Sequence, residues 1–291
     1  MNYTKTNSRQ VDLVVISDVH LGTYGCHATE LVTYLRGIKP GVLVLNGDII
    51  DGWAFSKRYF PASHHQVLME VMRLLSKGTK VYYLTGNHDE MLRRFSDLEL
   101  GDFHLADKLV LEIDGKKAWI FHGDIFDLSV NTGKWLAKIA GKSYDYLILL
   151  NRAVNFILEK MGKEKVSISR KIKAGVKQAV KFVGDFEEIA ARHAIEQNYD
   201  YVICGHIHQP QKRQIHIDNK SVTYLNSGDW IENLSALEYH QGKWSIYKYE
   251  DEMKTLLSQV NIETGSKKEL IIPIVPVANK AAITIKLNTL T

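Results

Sequence analysis

Five short apolar runs, each ending in a cluster of Asp, His or Asn, constrain this 291-residue chain more than any other feature. The runs are Val11–Ile16, Val42–Leu45, Val81–Leu84, Ala118–Phe121 and Tyr201–Cys204. They are short, largely β-branched or aromatic, and bounded by polar turns, so they read as strands. The clusters that follow them are Ser17-Asp18-Val19-His20, Asn46-Gly47-Asp48, Gly86-Asn87-His88-Asp89, His122-Gly123-Asp124 and Gly205-His206-Ile207-His208. Between the first three runs, residues 28–38 and 65–76 carry helical spacing, and the first helix is expected to stop at Pro40-Gly41. Val222–Tyr224 and residues 234–249 alternate like antiparallel strands. Continuous apolar strands alternating with helices predict a layered α/β fold whose sheet is covered on both faces. Ligands in open α/β sheets bind outside the carboxyl ends of strands, so the five clusters are expected together on one sheet edge.

Composition narrows the class further. With 45% hydrophobic and 24% charged residues, the chain is neither disordered nor collagen-like. Two cysteines, Cys26 and Cys204, cannot build a disulfide scaffold and fit a reducing compartment. Residues 1–10 have no apolar core for a signal peptide and are expected to be disordered. No run of about 18 apolar residues is present, so a cytoplasmic location is expected.

The clusters are chemically specific when taken together. Asp18, His20, Asp48, Asn87, His122, His206 and His208 offer seven oxygen and nitrogen donors and no thiolate. Such a set suits Mn²⁺, Fe²⁺ or Zn²⁺ and is too nitrogen-rich for Ca²⁺ or Mg²⁺ alone. Seven donors exceed what one ion needs and match two ions that share a carboxylate. Ions about 3.5–4 Å apart form the clamp of phosphoesterases, where they polarise phosphoryl oxygens and activate water. His88, beside Asn87, can face the leaving-group oxygen as a general acid or charge stabiliser. Asp51 and Asp124 are placed to orient His20 and His122 from behind, or else are ordinary loop carboxylates.

In order and spacing, Asp18-x-His20, Gly47-Asp48-x-x-Asp51, Gly86-Asn87-His88-Asp89, His122-Gly123-Asp124 and Gly205-His206-x-His208 resemble the five motifs of the calcineurin-like metallophosphoesterases. The resemblance spans about residues 11–250. It implies a four-layer α/β sandwich, two mixed β-sheets flanked by helices. It also implies one ion held by Asp18, His20, Asp48 and His208, and a second by Asp48, Asn87, His122 and His206, with Asp48 bridging and Mn²⁺ the foremost candidate.

The net charge of +4 hides an asymmetry. Residues 129–184 hold twelve basic and three acidic residues, a net of +9, which leaves −5 for the rest. The same stretch is apolar at helical spacing, with Ile172, Val176, Val180 and Val183 beside Lys173, Lys177 and Lys181. One reading is a helical hairpin packed on the core with a solvated lysine face. The other is an amphipathic cap that meets an anionic, lipid-bearing surface. Nucleic acid is disfavoured, because aromatics do not interleave regularly with the basic residues.

Within the superfamily the chain is most similar to the UDP-2,3-diacylglucosamine diphosphatases of lipid A synthesis, through SDVHLGTYGC, GDIIDGW, GNHDE, HGDIFD, GDFEE, CGHIHQP and NSGDW. That resemblance implies a helical cap insertion at about 128–184 that holds acyl chains, with Arg170 and Lys171 near the diphosphate. It implies cleavage of a lipid-linked nucleotide to UMP and a lipid monophosphate, with peripheral contact to the inner membrane. His88 departs from the Arg that well-known members of that group carry. The alternatives are a phosphodiesterase or nuclease of the same superfamily and a non-catalytic scaffold on the same fold. The extension at 251–291 carries two prolines in Leu270–Val277, which exclude a central strand. It could clasp the body, pair in a dimer or touch a membrane.

Overall fold

A computed structural model describes residues 8–53, 59–126 and 168–255. The expected insertion up to residue 167 and the extension beyond residue 255 lie outside the described residues. Strands β1 (Arg9–Ile16), β2 (Ile38–Asn46), β3 (Lys80–Leu84), β4 (Leu98–Leu100), β5 (Phe103–Ala106), β11 (Ser235–His240) and β12 (Lys243–Lys248) build one sheet. Its order is β12-β11-β1-β2-β3-β5-β4. Strands β6 (Lys108–Ile113), β7 (Lys116–Phe121), β8 (Tyr201–Cys204), β9 (Gln211–Ile217) and β10 (Lys220–Asn226) build the other, in the order β6-β7-β8-β10-β9. Each sheet mixes parallel and antiparallel pairs.

Side-chain alternation makes the layers. In β7, Ala118 and Ile120 face inward, whereas Trp119 and Phe121 face outward. In β8, Tyr201 and Ile203 face inward, and Val202 and Cys204 outward. The inner set meets Leu13, Val15, Val44, Leu84 and Leu237 of the larger sheet. On that sheet's outer face lie α1 (Ala28–Gly37) and α2 (Ala62–Ser76), which bury Leu31, Leu35, Val67, Val71 and Leu74. Helix α3 (Ile168–Glu196) covers the smaller sheet with Phe186, Ala190, Ala191 and Ala194. These residues recur one helical turn apart, and the alanines admit close approach to the strands. The result is the four-layer α/β sandwich.

Three expectations need correction. The five cluster-bearing strands share not one sheet but two, with β1, β2 and β3 in the larger and β7 and β8 in the smaller. Their inner faces are equally apolar, so the sequence pattern of one covered sheet and of two stacked sheets is the same. Second, Pro40-Gly41 lies inside β2 rather than only ending the helix. Pro40 pairs with Val11 on one side, whereas pairing with β3 begins at Val42, so its missing N–H faces no ladder. Third, β1 starts at Arg9, within the segment expected to be disordered; the Arg9 guanidinium donates to Glu238 of β11, with Arg9 Nη1 2.7 Å from Oε2. Strands β4, β5, β6 and β9 escaped the sequence reading: β4, β6 and β9 are sheet edges with exposed or mixed residues, and β5 is only four residues long.

Candidate metal centre

The β1 and β2 loops zip together at their carboxyl ends. Asp18 N donates to Gly47 O (3.1 Å), His20 N to Asp48 O (2.9 Å) and Leu21 N to Ile49 O (2.9 Å). The register forces an unusual backbone. Asp18, His20, Asp48, His206 and His208 all have φ between 52° and 65°. Non-glycine residues rarely adopt this left-handed region, and such strain gathers at functional sites. Five of the seven expected donors share it, and it turns their side chains away from the strand direction into one space.

Glycines clear that space. A Cβ on Gly86 would lie 2.3 Å from Asp48 Oδ1, and one on Gly47 would lie 2.4 Å from the His122 ring. The motif glycines therefore serve close approach as well as turning. Asp89 pins the third loop: its carboxylate accepts from Gly86 N (2.6 Å), Ile49 N (2.9 Å) and Tyr83 Oη (2.6 Å).

The donors meet across the two sheets. Ligand atoms of Asp18, His20 and His208 lie within 4.8 Å of one another, as do those of Asp48, His122 and His206. His208 Nε2 is 3.0 Å from Asp18 Oδ1, and His122 Nε2 is 3.2 Å from Asp48 Oδ2. Asn87 sits between Gly86, which crowds Asp48, and His88, whose N–H donates to Asp48 Oδ1 (2.8 Å). A further group joins His20, Asp48 and His88, so His88 stands as near as the expected donors.

Two of the donor atoms, His20 Nε2 and Asn87 Oδ1, are buried without a hydrogen-bond partner, and Asp18 Oδ1 and His122 Nε2 meet only His208 and Asp48 of the same cluster. Buried polar atoms are nearly always paired. Lone pairs of carboxylate, amide and imidazole aimed at one another's neighbourhood fit divalent cations as the missing partners. The same groups are strongly coupled to one another. Burial opposes charge on Asp18 and Asp48, yet His208 and His122 beside them hold both carboxyls below their ordinary values. Burial likewise opposes charge on His208, but Asp18 and more distant acids raise it to about 9. His122 is burdened most by burial and is still raised well above the imidazole range by Asp48 and Asp18. The acidic and basic donors are thus complementary in charge.

The supporting contacts differ in part from expectation. Asp51 Oδ2 lies 3.1 Å from His20 Nδ1, in the expected orienting position, and also 3.0 Å from His88 Nδ1. Asp124 does not take the matching place behind His122. It accepts from Arg93 Nη2 (2.9 Å), and His122 Nδ1 instead lies 2.9 Å from the Asn46 carbonyl. The carbonyl is delivered by β2 itself, so no side chain is needed there. Arg170 and Lys171 fall in the first turn of α3. Sequence reasoning missed Asn46, Asn226 and Asn233. Asn226 Nδ2 donates to Gly205 O (2.8 Å), and Asn233 Nδ2 to His208 O (2.8 Å). The NSGDW stretch marked that region, but a side chain bracing a distant backbone leaves no local pattern.

The family model described as Calcineurin-like phosphoesterase matches residues 11–210, more than half of the chain. The chain is a calcineurin-like phosphoesterase. As such it is a hydrolase, with a His/Asp cluster suited to the divalent metals its family uses. A UDP-2,3-diacylglucosamine hydrolase of Aliivibrio fischeri (strain MJ11) is 26% identical over 243 residues, covering 82% of this phosphoesterase and 98% of that protein. One of Vibrio cholerae serotype O1 is 28% identical over 230 residues, covering 77% and 93%. A solved structure described as a novel archaeal phosphodiesterase is 13% identical, with a TM-score of 0.37, covering 81% of this chain and 98% of that one. No helix among the described residues is long and apolar enough to cross a membrane.

Proposed function

We propose that this phosphoesterase cleaves the pyrophosphate of UDP-2,3-diacylglucosamine, or of a closely similar lipid-linked nucleotide, to UMP and a lipid monophosphate. The observation that carries the reading is the cluster of Asp and His donors where the two sheets meet, with His20 Nε2 and Asn87 Oδ1 beside it buried without a hydrogen-bond partner. Relatives of that name, matched over nearly their whole length, support the choice of substrate. Asp18, His20, Asp48 and His208 would hold one ion, and Asp48, Asn87, His122 and His206 a second, Mn²⁺ foremost with Fe²⁺ and Zn²⁺ as alternatives. When bound, the pair supplies Lewis-acid polarisation of the phosphoryl group and activation of water.

The chain's own residues do the rest. Water adds to phosphorus, the bridging P–O bond breaks, and the departing phosphate oxygen receives a proton or hydrogen bond from His88. Asp51 Oδ2 lies 3.0 Å from His88 Nδ1, on the side of the ring away from Nε2, which would face that oxygen. Arg170 and Lys171 would meet the diphosphate. The basic, apolar stretch 128–184 would hold the acyl chains and bring the enzyme to the cytoplasmic face of a membrane. The extension from 251 is assigned no part in the chemistry.

The test is turnover of UDP-2,3-diacylglucosamine beside single-stranded DNA and a chromogenic diester, with Mn²⁺, at several salt concentrations. UMP release that His88→Ala slows by about a hundredfold, with metal content retained, is the expected result. DNA cleavage without lipid-nucleotide turnover would overturn it.

A further inference from the structure

Tyr24, four residues beyond the expected donor His20, stands exposed, with the half-buried Tyr59 against it. Tyr24 is 84% exposed, and its ring lies 3.8 Å from that of Tyr59, tilted by 33°. An aromatic ring left open to water on a fixed loop offers a face on which another planar ring can stack.

The loop that carries Tyr24 is fixed at three points. Thr23 donates to the His20 carbonyl through both N (3.2 Å) and Oγ1 (2.9 Å), which closes a turn directly from an expected metal donor to Tyr24. Leu21 bridges Ile50, and Asp51 N donates to Leu21 O (2.9 Å), so the 18–24 and 48–53 loops run side by side. Gly22 N donates to Nδ1 of buried His64 (3.0 Å). The Tyr59 ring meets the same His64 edge-on at 5.8 Å. One buried histidine thus keys both tyrosines to the metal-site loop. On the neighbouring loop Trp53 is 53% exposed, with its ring 4.3 Å from His88.

We infer that the Tyr24–Tyr59 pair is the stacking shelf for the nucleobase of the substrate, an inference that rests on the reading that the substrate carries a nucleotide. A single open face suits a planar ring, which stacks on one side and keeps its polar edge in water. Acyl chains need a concave, enclosed apolar lining, which this open shelf does not offer. Its position, one turn beyond His20, lets a base lie on the shelf while the phosphates reach the metal donors.

The test compares inhibition of chromogenic-diester hydrolysis by UMP and by ribose 5-phosphate, in the Mn²⁺-loaded full chain. The shelf predicts that UMP inhibits at least about tenfold better. Tyr24→Ser should erase that preference, Tyr24→Phe should keep it, and Leu100→Ser, on the exposed edge strand β4, serves as the control. A preference that survives both Tyr24→Ser and Tyr59→Ser overturns the shelf and leaves the nucleotide reading standing. Turnover of UDP-2,3-diacylglucosamine by an enzyme with no UMP preference does the same. A Tyr24-dependent UMP preference without lipid-nucleotide turnover supports the shelf and removes the lipid substrate.

Discussion

The two sheets contribute opposite chemistry to one site. The larger brings every oxygen donor, Asp18, Asp48 and Asn87, with His20 and His88 beside them. The smaller brings only imidazoles, His122 from β7 and His206 and His208 from β8. The carboxylates of the first half repel each other, and the imidazoles of the second have nothing to bind. Closing the sandwich over Leu13, Val15, Ile120 and Ile203 sets His208 against Asp18 and His122 against Asp48. The site is therefore a property of the interface between halves, so folding and cation binding should be linked.

The largest effect is expected from removing Asp48, the carboxylate that belongs to both a larger-sheet group and a group with His122 and His206. Asp48→Ala should cut turnover by about a thousandfold or more, because each metal function is worth several kcal/mol. Metal content should fall while circular dichroism stays native, and a wild-type rate in that variant would refute the division of roles. Next, Gly86→Ala should lower kcat about a hundredfold, since its Cβ would displace Asp48 Oδ1 and small misplacements are costly in catalysis. The third test is metal removal. If cations tie the halves, adding Mn²⁺ at about a hundred times its Kd should stabilise the protein by about 2.7 kcal/mol, read as a rise in Tm that EDTA reverses. An unchanged Tm would mean that the sandwich closes independently of its ions.

The smallest effect isolates one half. Glu70 on α2 accepts from Arg36 Nε of α1 (2.7 Å) and from Arg73, on the outer face of the larger sheet. Burial works against its charge, yet the two guanidinium groups hold its carboxyl below the ordinary value. A depressed carboxyl stabilises the fold fully above the ordinary carboxylate range and loses that contribution as pH falls below that range through the group's own lowered value. Glu70→Gln should therefore cost about 1 kcal/mol at neutral pH. The gap from wild type should close in acid, and metal content should not change, as urea titrations at pH 7 and pH 3 would report.

Much of the site was legible because strand-end chemistry is local. A run such as Val81-Tyr82-Tyr83-Leu84 followed by Gly86-Asn87-His88-Asp89 declares both a strand and a donor loop, and the structure brings all five such loops together. What failed was whatever depended on a partner far away in the chain. Asp124 and Asp51 look alike in sequence, each three residues or fewer beyond a donor, yet one meets Arg93 and the other His20. Asn233 gave no sign that it holds the His208 carbonyl.

Residue chemistry and spacing alone determined the layered α/β class, the five donor loops and the donor types. These follow from periodicity and from the short reach of a turn. Only tertiary structure decided that the strands divide into two sheets, that oxygen and nitrogen donors come from opposite halves, and that five donors sit on left-handed backbone. Those outcomes depend on which apolar faces pack against each other, and a strand buried on both sides does not record which neighbour it will meet.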